Sequence, residues 1–277
     1  MKLLIFLGFI MVTLGGVIGF SVWRFNARIS QETMDLVKNN TVIKDNYDEE
    51  KVEGLPAPVK RWLKNSGILE KEKIHTVHLK QRGIMRLQPD QEQWMEAEAE
   101  QLFTVDKPGF IWRVRTSMAG VPVIGRDLFT AGQGSMEIRL AGTIPVVKVS
   151  NHKKINESTI QRYLGEIAWF PSAALSPYIQ WEPVDEHSAK ATMTYEGTTG
   201  SAVFHFNDQG DLVKFVAPRY KDINDQLPTD WVATVMDTQV VNDVRIPTRL
   251  EASWLLKGGT FTWYKFEIYD VVYNQGI

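Results

Sequence analysis

The 277-residue sequence contains no cysteine. Disulfide bonds, thiol catalysis and cysteine-based zinc sites are therefore excluded. An excess of basic residues is also lacking, because 31 Lys and Arg stand against 33 Asp and Glu, for a formal net charge of −2. Nucleic acid is not expected as a partner, since neutralising its phosphates requires a clear surplus of basic side chains.

The common catalytic and cofactor motifs are missing as well. The sequence has no Gly-x-Ser-x-Gly elbow, Walker loop or His-Glu-x-x-His motif. Gly132-x-Gly134 lacks the third glycine of a dinucleotide loop and indicates a hairpin turn. His75 and His78 fall on a predicted strand, where residues three apart point to opposite faces. The sequence therefore predicts no catalytic constellation, no metal site and no cofactor.

One long hydrophobic run is present, at residues 3–22. At about 1.5 Å per residue it matches the ~30 Å hydrocarbon core of a bilayer. The apolar region of a cleaved signal peptide is normally ~7–15 residues and ends at small residues. Here Trp23 and Arg24 follow the run instead. We predict an uncleaved, single-pass anchor over residues 1–23, contacting the membrane through residues 3–22. Its short N-terminal tail favours a soluble domain on the outer face.

The rest of the chain divides into a tether and one domain. Residues 24–53 are polar and end in Asp48-Glu49-Glu50-Lys51, which is typical of a solvated tether. A short helix is predicted to open the domain of residues 54–277. Val59, Trp62 and Leu63 share one face of it, and Gly67 ends it.

From residue 73 onward apolar residues recur with a period of two, which is typical of strands. One helix interrupts this pattern. Ser158 to Gln161 fits a capping box at its start, and Pro171 ends it. The sequence predicts a mainly β (α+β) fold: a curved antiparallel sheet or incomplete barrel of about ten strands, with the inserted helix on its concave side.

Aromatic residues are numerous, at nine Trp, thirteen Phe and eight Tyr. Several strands carry apolar residues on both faces; in the last one, Phe261 and Trp263 oppose Tyr264 and Phe266. A sheet that is apolar on both sides must be covered on both sides or close around a cavity. An aromatic-filled core is the simpler interpretation. A cavity for a hydrophobic ligand is the more specific hypothesis.

The candidate ligand-binding residues follow from that hypothesis. Arg126 or Arg219 is expected to meet a polar head, and His205 to stand in the wall. The remaining candidates, all aromatic, are Phe110, Trp112, Trp169, Phe170, Phe204 and Trp263. Asp127 and Glu166 lie among apolar neighbours and need basic partners if buried. With His205 they would define an enzyme only if all three converge in one pocket. Glu96, Glu98 and Glu100 are interpreted as a solvated strand face.

Four segments of the sequence occur in the order of a known pattern: Leu55-Pro56-Ala57-Pro58-Val59, Gly125-Arg126-Asp127, Trp169-Phe170-Pro171-Ser172-Ala173 and Phe204-His205-Phe206. On these segments, residues 54–273 resemble an uncharacterised bacterial family without an assigned activity. More remotely, the Lys107-Pro108-Gly109 turn before Phe110-x-Trp112, a Phe-Asn-Asp-Gln-Gly hairpin and Arg245-Ile246-Pro247 are similar to features of LolA-like lipoprotein-carrier half-barrels.

The carrier resemblance implies a helix-lidded sheet that holds acyl chains, or an envelope sensor. The functional expectation is a membrane-tethered binding protein for a lipid or other hydrophobic small molecule in the cell envelope. The alternative is a protein-binding envelope sensor or scaffold that uses an exposed sheet edge, with its protein partner unknown. An uncharacterised enzyme is the third hypothesis.

Overall fold

A computed structural model describes residues 2–40 and 49–275 of the protein. Within these ranges the structure is mainly β, with one thirteen-stranded antiparallel sheet and four helices. The helices are α1 (Lys2–Asn39), α2 (Glu49–Glu53), α3 (Ala57–Ser66) and α4 (Lys153–Glu166). Short 3-10 turns follow α3 and α4.

The strands follow one another as a meander, and α4 is inserted between the sixth and the seventh. They are β1 (Thr76–Met85), β2 (Met95–Thr104), β3 (Gly109–Met118), β4 (Val121–Thr130), β5 (Gln133–Leu140), β6 (Ile144–Ser150), β7 (Ile179–Asp185), β8 (Ser188–Tyr195), β9 (Thr198–Phe206), β10 (Leu212–Arg219), β11 (Thr229–Val241), β12 (Val244–Leu256) and β13 (Gly259–Tyr273). The order across the sheet is β6-β5-β4-β3-β2-β1-β13-β12-β11-β10-β9-β8-β7, so the first and last strands meet at its centre.

The predicted mainly β, antiparallel architecture with an inserted helix is confirmed, but the predicted number of strands is wrong. The alternating stretch 136–149 contains a turn at Ala141 and Gly142, whose φ angles are 49° and 65°, and it forms parts of two strands. β7 was missed because it contains Pro183. Proline is tolerated there because β7 is an edge strand, where a backbone N–H is not needed for the ladder.

The first domain helix, α3, forms as predicted. Val59, Trp62 and Leu63 are buried on one face, and Gly67 ends the helix with φ 72° and donates its N–H to the carbonyl of Lys64. Trp62 packs its ring 6.1 Å from that of Phe204, centroid to centroid. The helix therefore closes the β8–β9 end of the main core.

Helix α4 lies on the inner face of the sheet and packs closely against both arms of it. A side chain at Gly134 of β5 would meet the Thr159 Cβ at 2.8 Å, and one at Gly200 of β9 would meet the Ile160 Cγ2 at 2.8 Å. Only glycine allows the helix to approach both strands this closely. The arms also touch directly, because the Thr198 hydroxyl donates to the Gly132 carbonyl at 2.7 Å.

The predicted capping box at Ser158 is wrong. The cap lies six residues earlier, at His152, whose ring accepts a hydrogen bond from the Lys154 N–H. Ser158 instead lies within α4, and its hydroxyl bonds both the carbonyl and the N–H of Tyr220. A Ser-x-x-Gln spacing inside a helix is indistinguishable by sequence from one at its start, and tertiary contact with the loop after β10 decided between them.

The outer face of the sheet is covered by the second half of α1. Phe25, Ile29 and Leu36 are buried against Leu102 and Ile111 of β2 and β3. Residues 24–39 are thus helical and packed, which differs from the solvated tether that their polar composition indicates. Polar residues are compatible with this position because only one stripe of the helix faces the sheet. Residues 41–48 of the predicted tether lie outside the described residues.

No helix in the described part of the chain has both the length and the apolar character needed to cross a membrane. Many side chains of the predicted anchor, including those of residues 3–8, lie outside that description. The anchor over residues 1–23 therefore stays a prediction.

Candidate ligand cavity

A cavity of about 200 Å³ lies between α4 and the inner face of the sheet. We call it the α4 cavity. Its walls come from α4, from β1, β3 and β4 on one side, and from β10 to β13 on the other. Aromatic side chains dominate the lining: Phe110, Trp112, Trp169, Tyr220, Trp231, Trp254, Trp263, Tyr264 and Phe266. The strand order explains this composition, since the curl of one sheet brings distant strands to face one helix.

A bulge in the last strand adds an extra aromatic ring to this wall. β12 and β13 pair Ala252 with Tyr264 and then Ser253 with Thr262, so Trp263 has no partner in the register. At such a bulge two successive side chains can point to the same face of the sheet. Trp263 and Tyr264 accordingly both line the cavity, with stacked rings 5.5 Å apart. The strict alternation predicted for this strand placed them on opposite faces.

One end of the cavity holds an arginine between two carboxylates. The Arg162 Nη1 donates to the Asp127 Oδ2 at 2.5 Å, and its Nε donates to the Glu166 Oε1 at 2.9 Å. The guanidinium also lies over the Trp112 ring, 4.6 Å from its centroid. Arg162 and Glu166 stand four residues apart on α4, the spacing at which helix side chains meet.

A chain of hydrogen bonds connects side chains of the sheet to the Glu166 carboxylate. The Trp112 Nε1 and the Tyr264 hydroxyl both donate to the Gln81 Oε1, at 3.0 and 3.3 Å. The Gln81 amide donates to the Gln101 Oε1 at 2.9 Å, and the Gln101 amide donates to the Glu166 Oε2 at 2.8 Å. Both oxygens of Glu166 are therefore occupied, which stabilises a buried negative charge.

The electrostatic environment perturbs each of these charged groups. Burial raises the pKa of Asp127 and of Glu166, and the arginines, led by Arg162, offset this only in part. Burial opposes the charge of Arg162, but Glu166 and Asp127 outweigh it and raise the Arg162 pKa. Asp127 and Glu166 thus share one strong cationic partner.

A second arginine in the cavity has no such partner. Within the described chain Arg219 makes no hydrogen bond and no ion pair, and its Nε is buried. It lies over the Trp231 ring, 4.6 Å from the centroid. Burial, together with the nearby Arg162 guanidinium, lowers the pKa of Arg219 to about 9. The side chain therefore remains a cation at neutral pH.

Two indole N–H groups in the same wall also lack partners. The Nε1 atoms of Trp231 and Trp263 are buried, and neither donates to any group in the described residues. Two further indoles of the cavity do have acceptors, since Trp169 donates to the Pro247 carbonyl at 3.2 Å and Trp112 donates to Gln81. A buried donor without an acceptor costs about 1–3 kcal/mol. With the Arg219 Nε, the Nε1 atoms of Trp231 and Trp263 are the fully buried polar atoms of the lining that lack a partner in the described residues, and all three are donors.

The structure brings together five of the nine residues predicted for a ligand site. Phe110, Trp112, Trp169, Arg219 and Trp263 all line the α4 cavity. They come from β3, the turn after α4, β10 and β13, segments that are far apart in sequence. Their role in binding stays a prediction.

The other four predicted site residues lie elsewhere. Phe170 is wedged against Phe103, with ring centroids 4.9 Å apart, and Phe204 packs at 5.0 Å on Phe215. Both belong to the filled part of the core. His205 points to the outer face of β9, where burial and Lys214 lower its pKa.

Arg126 is also on the outer face, because it is one residue from Asp127 and successive strand residues alternate. Its Nη2 donates to the Glu32 Oε1 of α1 at 2.9 Å, and its Nη1 donates to the Ser135 hydroxyl at 2.5 Å. Arg126 therefore holds α1 on the sheet and faces away from the α4 cavity.

The remaining sequence motifs have structural roles. Gly132 lies in the predicted hairpin turn, with φ 71°. His75 and His78 bond different carboxylates, Asp106 and Glu100, each at 2.7 Å. In the described ranges no group of three or more His, Asp or Glu side chains is placed to hold a metal ion. Asp127 and Glu166 do converge on one pocket, whereas His205 does not.

Several lining residues were missed by the sequence predictions, and two kinds of signal were available for them. Gln81 and Gln101 interrupt the apolar inner face of their strands, where Leu79 and Phe103 are their neighbours two residues away. A polar residue in such a position needs a buried partner. Arg162 was detectable through its helical spacing from Glu166.

The fold and this cavity define the class: a curved antiparallel sheet protein whose interior, beneath a helix, holds an aromatic cavity with buried charged groups. The chain belongs to a family of unknown function, DUF6920, which it matches over residues 53–273. Among curated proteins, none matches the chain. The match begins before α3 and ends at the last residue of β13, so it contains the whole sheet and α4.

Proposed function

We propose that this protein is a binding protein for a small, largely apolar molecule, which it holds in the α4 cavity. The observation that carries the proposal is the cavity itself: about 200 Å³ remains open and lined by aromatic rings, although the neighbouring core around Phe103 and Phe204 is filled. Packed interiors rarely leave space of this size without a use.

The volume limits what the cavity can hold. An apolar cavity of ~150 Å³ accommodates benzene, while pockets for drug-sized ligands measure ~300–1,000 Å³. About 200 Å³ suits one ring or a short alkyl chain better than a whole diacyl lipid. The helix over a concave sheet supports a layout like that of the lipoprotein carriers, with a smaller guest.

Membrane attachment is the second part of the proposal. The uncharged run of residues 3–22 supports an anchor with the sheet domain on the outer face of a bacterial envelope. Trp23, exposed at the end of this run, suits the interfacial belt. Membrane fractionation of the full chain tests this part. Retention in the pellet after alkaline washing is expected, and release into the supernatant would contradict it.

The binding proposal is tested with the full chain purified in detergent. Native mass spectrometry and solvent extraction are expected to reveal a co-purifying small molecule. Calorimetric titration with benzoate, benzamide, hexanoate and hexanamide is expected to give saturable binding for at least one probe.

A matched pair of substitutions assigns that binding to the cavity. Ala233 lines it on β11, and its neighbour Thr234 faces the other side of the sheet. Ala233→Leu is expected to fill space and weaken binding about tenfold or more, while Thr234→Leu leaves it unchanged. Absence of any bound molecule or probe, or equal binding by both variants, would refute the proposal.

An alternative function is protein binding by an envelope sensor or scaffold. β6 is an edge strand, and its Ile144 and Val146 are 58% and 57% exposed. Unpaired edges can accept a strand from another chain. In-cell cross-linking tests this alternative: a partner that is lost in Val146→Pro and retained in Ala233→Leu would favour it.

A further inference from the structure

We infer that the ligand of the α4 cavity is a small monocarboxylate, with its apolar body among the indoles and its carboxylate on Arg219, Trp231 and Trp263. This inference rests on the proposed function and specifies its ligand class. The three named groups come from β10, β11 and β13 and line one cavity.

Three buried hydrogen-bond donors in the cavity have no acceptor in the described chain. Arg219 Nε, Trp231 Nε1 and Trp263 Nε1 are all donors, and none has a partner in the described chain. Guanidinium and indole nitrogens cannot accept. A ligand that satisfies them must therefore bring acceptors, and a carboxylate offers two oxygens with about four lone-pair directions.

The two arginines of the cavity differ in their ion pairs. Arg162 is already committed to Asp127 and Glu166, whereas Arg219 has no carboxylate within ion-pair distance in the described residues. A ligand anion would supply that missing partner through a charge-assisted hydrogen bond. A dianion such as a phosphate is disfavoured, because Asp127 and Glu166 line the same cavity and would repel the second charge.

A cationic ligand is the usual occupant of an aromatic cage, but this cavity disfavours one. The aromatic faces that would receive it already carry protein cations. Arg219 lies over Trp231 at 4.6 Å and Lys221 lies over Trp254 at 5.6 Å, measured to the ring centroids. Benzylamine is therefore expected to bind more weakly than benzoate.

Binding of an anion here is coupled to proton uptake. With Arg162 and Arg219 charged, the two cations balance Asp127 and Glu166, and a bound anion adds one negative charge. Burial raises the pKa of both carboxyl groups, and an anion bound beside them would raise these pKa values further. Tyr220, Lys221 and Tyr264 are the other titratable side chains in the wall. Affinity is therefore expected to rise as the pH is lowered towards the range in which these carboxyl groups take up protons.

The experiment uses the full chain in detergent and isosteric pairs of probes. Benzoate is compared with benzamide, and hexanoate with hexanamide, so that charge changes at constant shape. Benzylamine serves as the cationic probe. The carboxylates are expected to bind about tenfold or more tightly than their amides. Tighter binding of benzoate would indicate an aromatic acid as the natural ligand, and tighter binding of hexanoate would indicate a fatty acid.

Variants assign the effect to the donors. Arg219→Gln is expected to lose about tenfold or more of the benzoate or hexanoate affinity while amide binding is retained. Trp263→Phe keeps a six-membered ring but removes the donor and enlarges the cavity, so the donor is assessed by the ratio of carboxylate to amide affinity, which is expected to fall by less than in Arg219→Gln. Arg249→Gln, an exposed arginine on β12, is the matched control and leaves both affinities unchanged.

The outcomes separate the two proposals. Amide binding equal to or tighter than carboxylate binding, or preference for benzylamine, overturns the inference and leaves the binding function standing. Failure of every probe, with no co-purifying molecule, refutes the binding function and the inference together. The wild-type protein alone distinguishes these outcomes, so the test stays decisive even if a variant fails to fold.

Discussion

Arg126 and Arg219 are two arginines of one sheet with opposite surroundings. Arg126, on the outer face, bonds Glu32 of α1 and Ser135 and leaves only its Nε without a partner. Arg219, on the inner face, has a cavity and tryptophan rings beside it and no bond at all within the described chain. A buried charge with a complementary partner supports structure, and one without a partner indicates a site for something else.

The largest effect is expected from Arg162, the inner-face arginine that does have partners. Arg162→Met leaves Asp127 and Glu166 buried without the cation that hydrogen-bonds them, and the free energy of unfolding should fall by about 3–5 kcal/mol. Urea unfolding measures this loss. The triple variant Asp127→Asn, Arg162→Met, Glu166→Gln is the control, and it should recover most of the loss. An unchanged midpoint in the single variant would contradict the assignment of Arg162 as the common partner.

A sharper test exchanges the two contrasting arginines for a neutral side chain of similar length. Arg126→Met should lower the free energy of unfolding by about 1–3 kcal/mol, because Glu32 loses its buried partner. Arg219→Met should lower stability less than Arg126→Met does, because the guanidinium that is removed makes no hydrogen bond and acts on Asp127 and Glu166 only at a distance. Thermal unfolding of both variants checks the difference. Equal losses would break the distinction between the two faces.

The two faces should also respond oppositely to pH. On the inner face, burial raises the pKa of Glu166, so its favourable contribution is present below its unfolded pKa and is lost as the pH rises through the folded value. On the outer face, burial also opposes the charge of Glu137, but hydrogen bonds from Arg139 and Arg28 outweigh it and lower the Glu137 pKa. That contribution is present above the unfolded pKa and is lost as the pH falls through the folded value.

Glu166→Gln and Glu137→Gln measure these contributions one at a time. As the pH rises, Glu166→Gln should gain Tm relative to wild type at pH values above the ordinary pKa of 4.5, whereas Glu137→Gln should lose Tm relative to wild type at pH values below 4.5. For Glu166 the neighbouring charged groups are Arg162 and Arg219, and for Glu137 they are Arg28 and Arg139. Parallel profiles would show that the two carboxylates do not differ as described.

The smallest effect is expected at His205. Its ring lies on the outer face of β9 and lines no part of the α4 cavity. His205→Gln should change the free energy of unfolding by less than about 0.5 kcal/mol and leave probe affinity unchanged. A clear loss of binding would return His205 to the site in which the sequence placed it.

The predicted fold agrees with the structure where local periodicity carries the information. Alternation over β1, β2 and β12 and the apolar stripe of α3 identified these elements. Prediction failed where one local signal concealed another: the turn at Ala141 and Gly142 inside an alternating stretch, Pro183 in an edge strand, and Ser158 within α4. Contact with Tyr220 places Ser158 inside the helix, and the edge position of β7 allows Pro183; neither is visible in the local sequence.

The sequence predicted a cavity lined by aromatic residues, but it predicted only some of the residues that line it. Tryptophan abundance indicated a cavity wall, and Trp112, Trp169 and Trp263 do meet there. Phe170 and Phe204 have the same composition signal and fill the core instead. Aromatic side chains behave alike by sequence, and whether one borders a void depends on how two arms of the sheet curl around α4.

By itself, the sequence determined an antiparallel sheet with one inserted helix, because side-chain alternation and helical spacing are local properties of the chain. It also determined that successive strand residues such as Arg126 and Asp127 lie on opposite faces of the sheet. Only the tertiary structure decided which of those sides faces the cavity. Partner assignment depends on atoms far apart in sequence, and only folding gave Arg126 a carboxylate and left Arg219 without one.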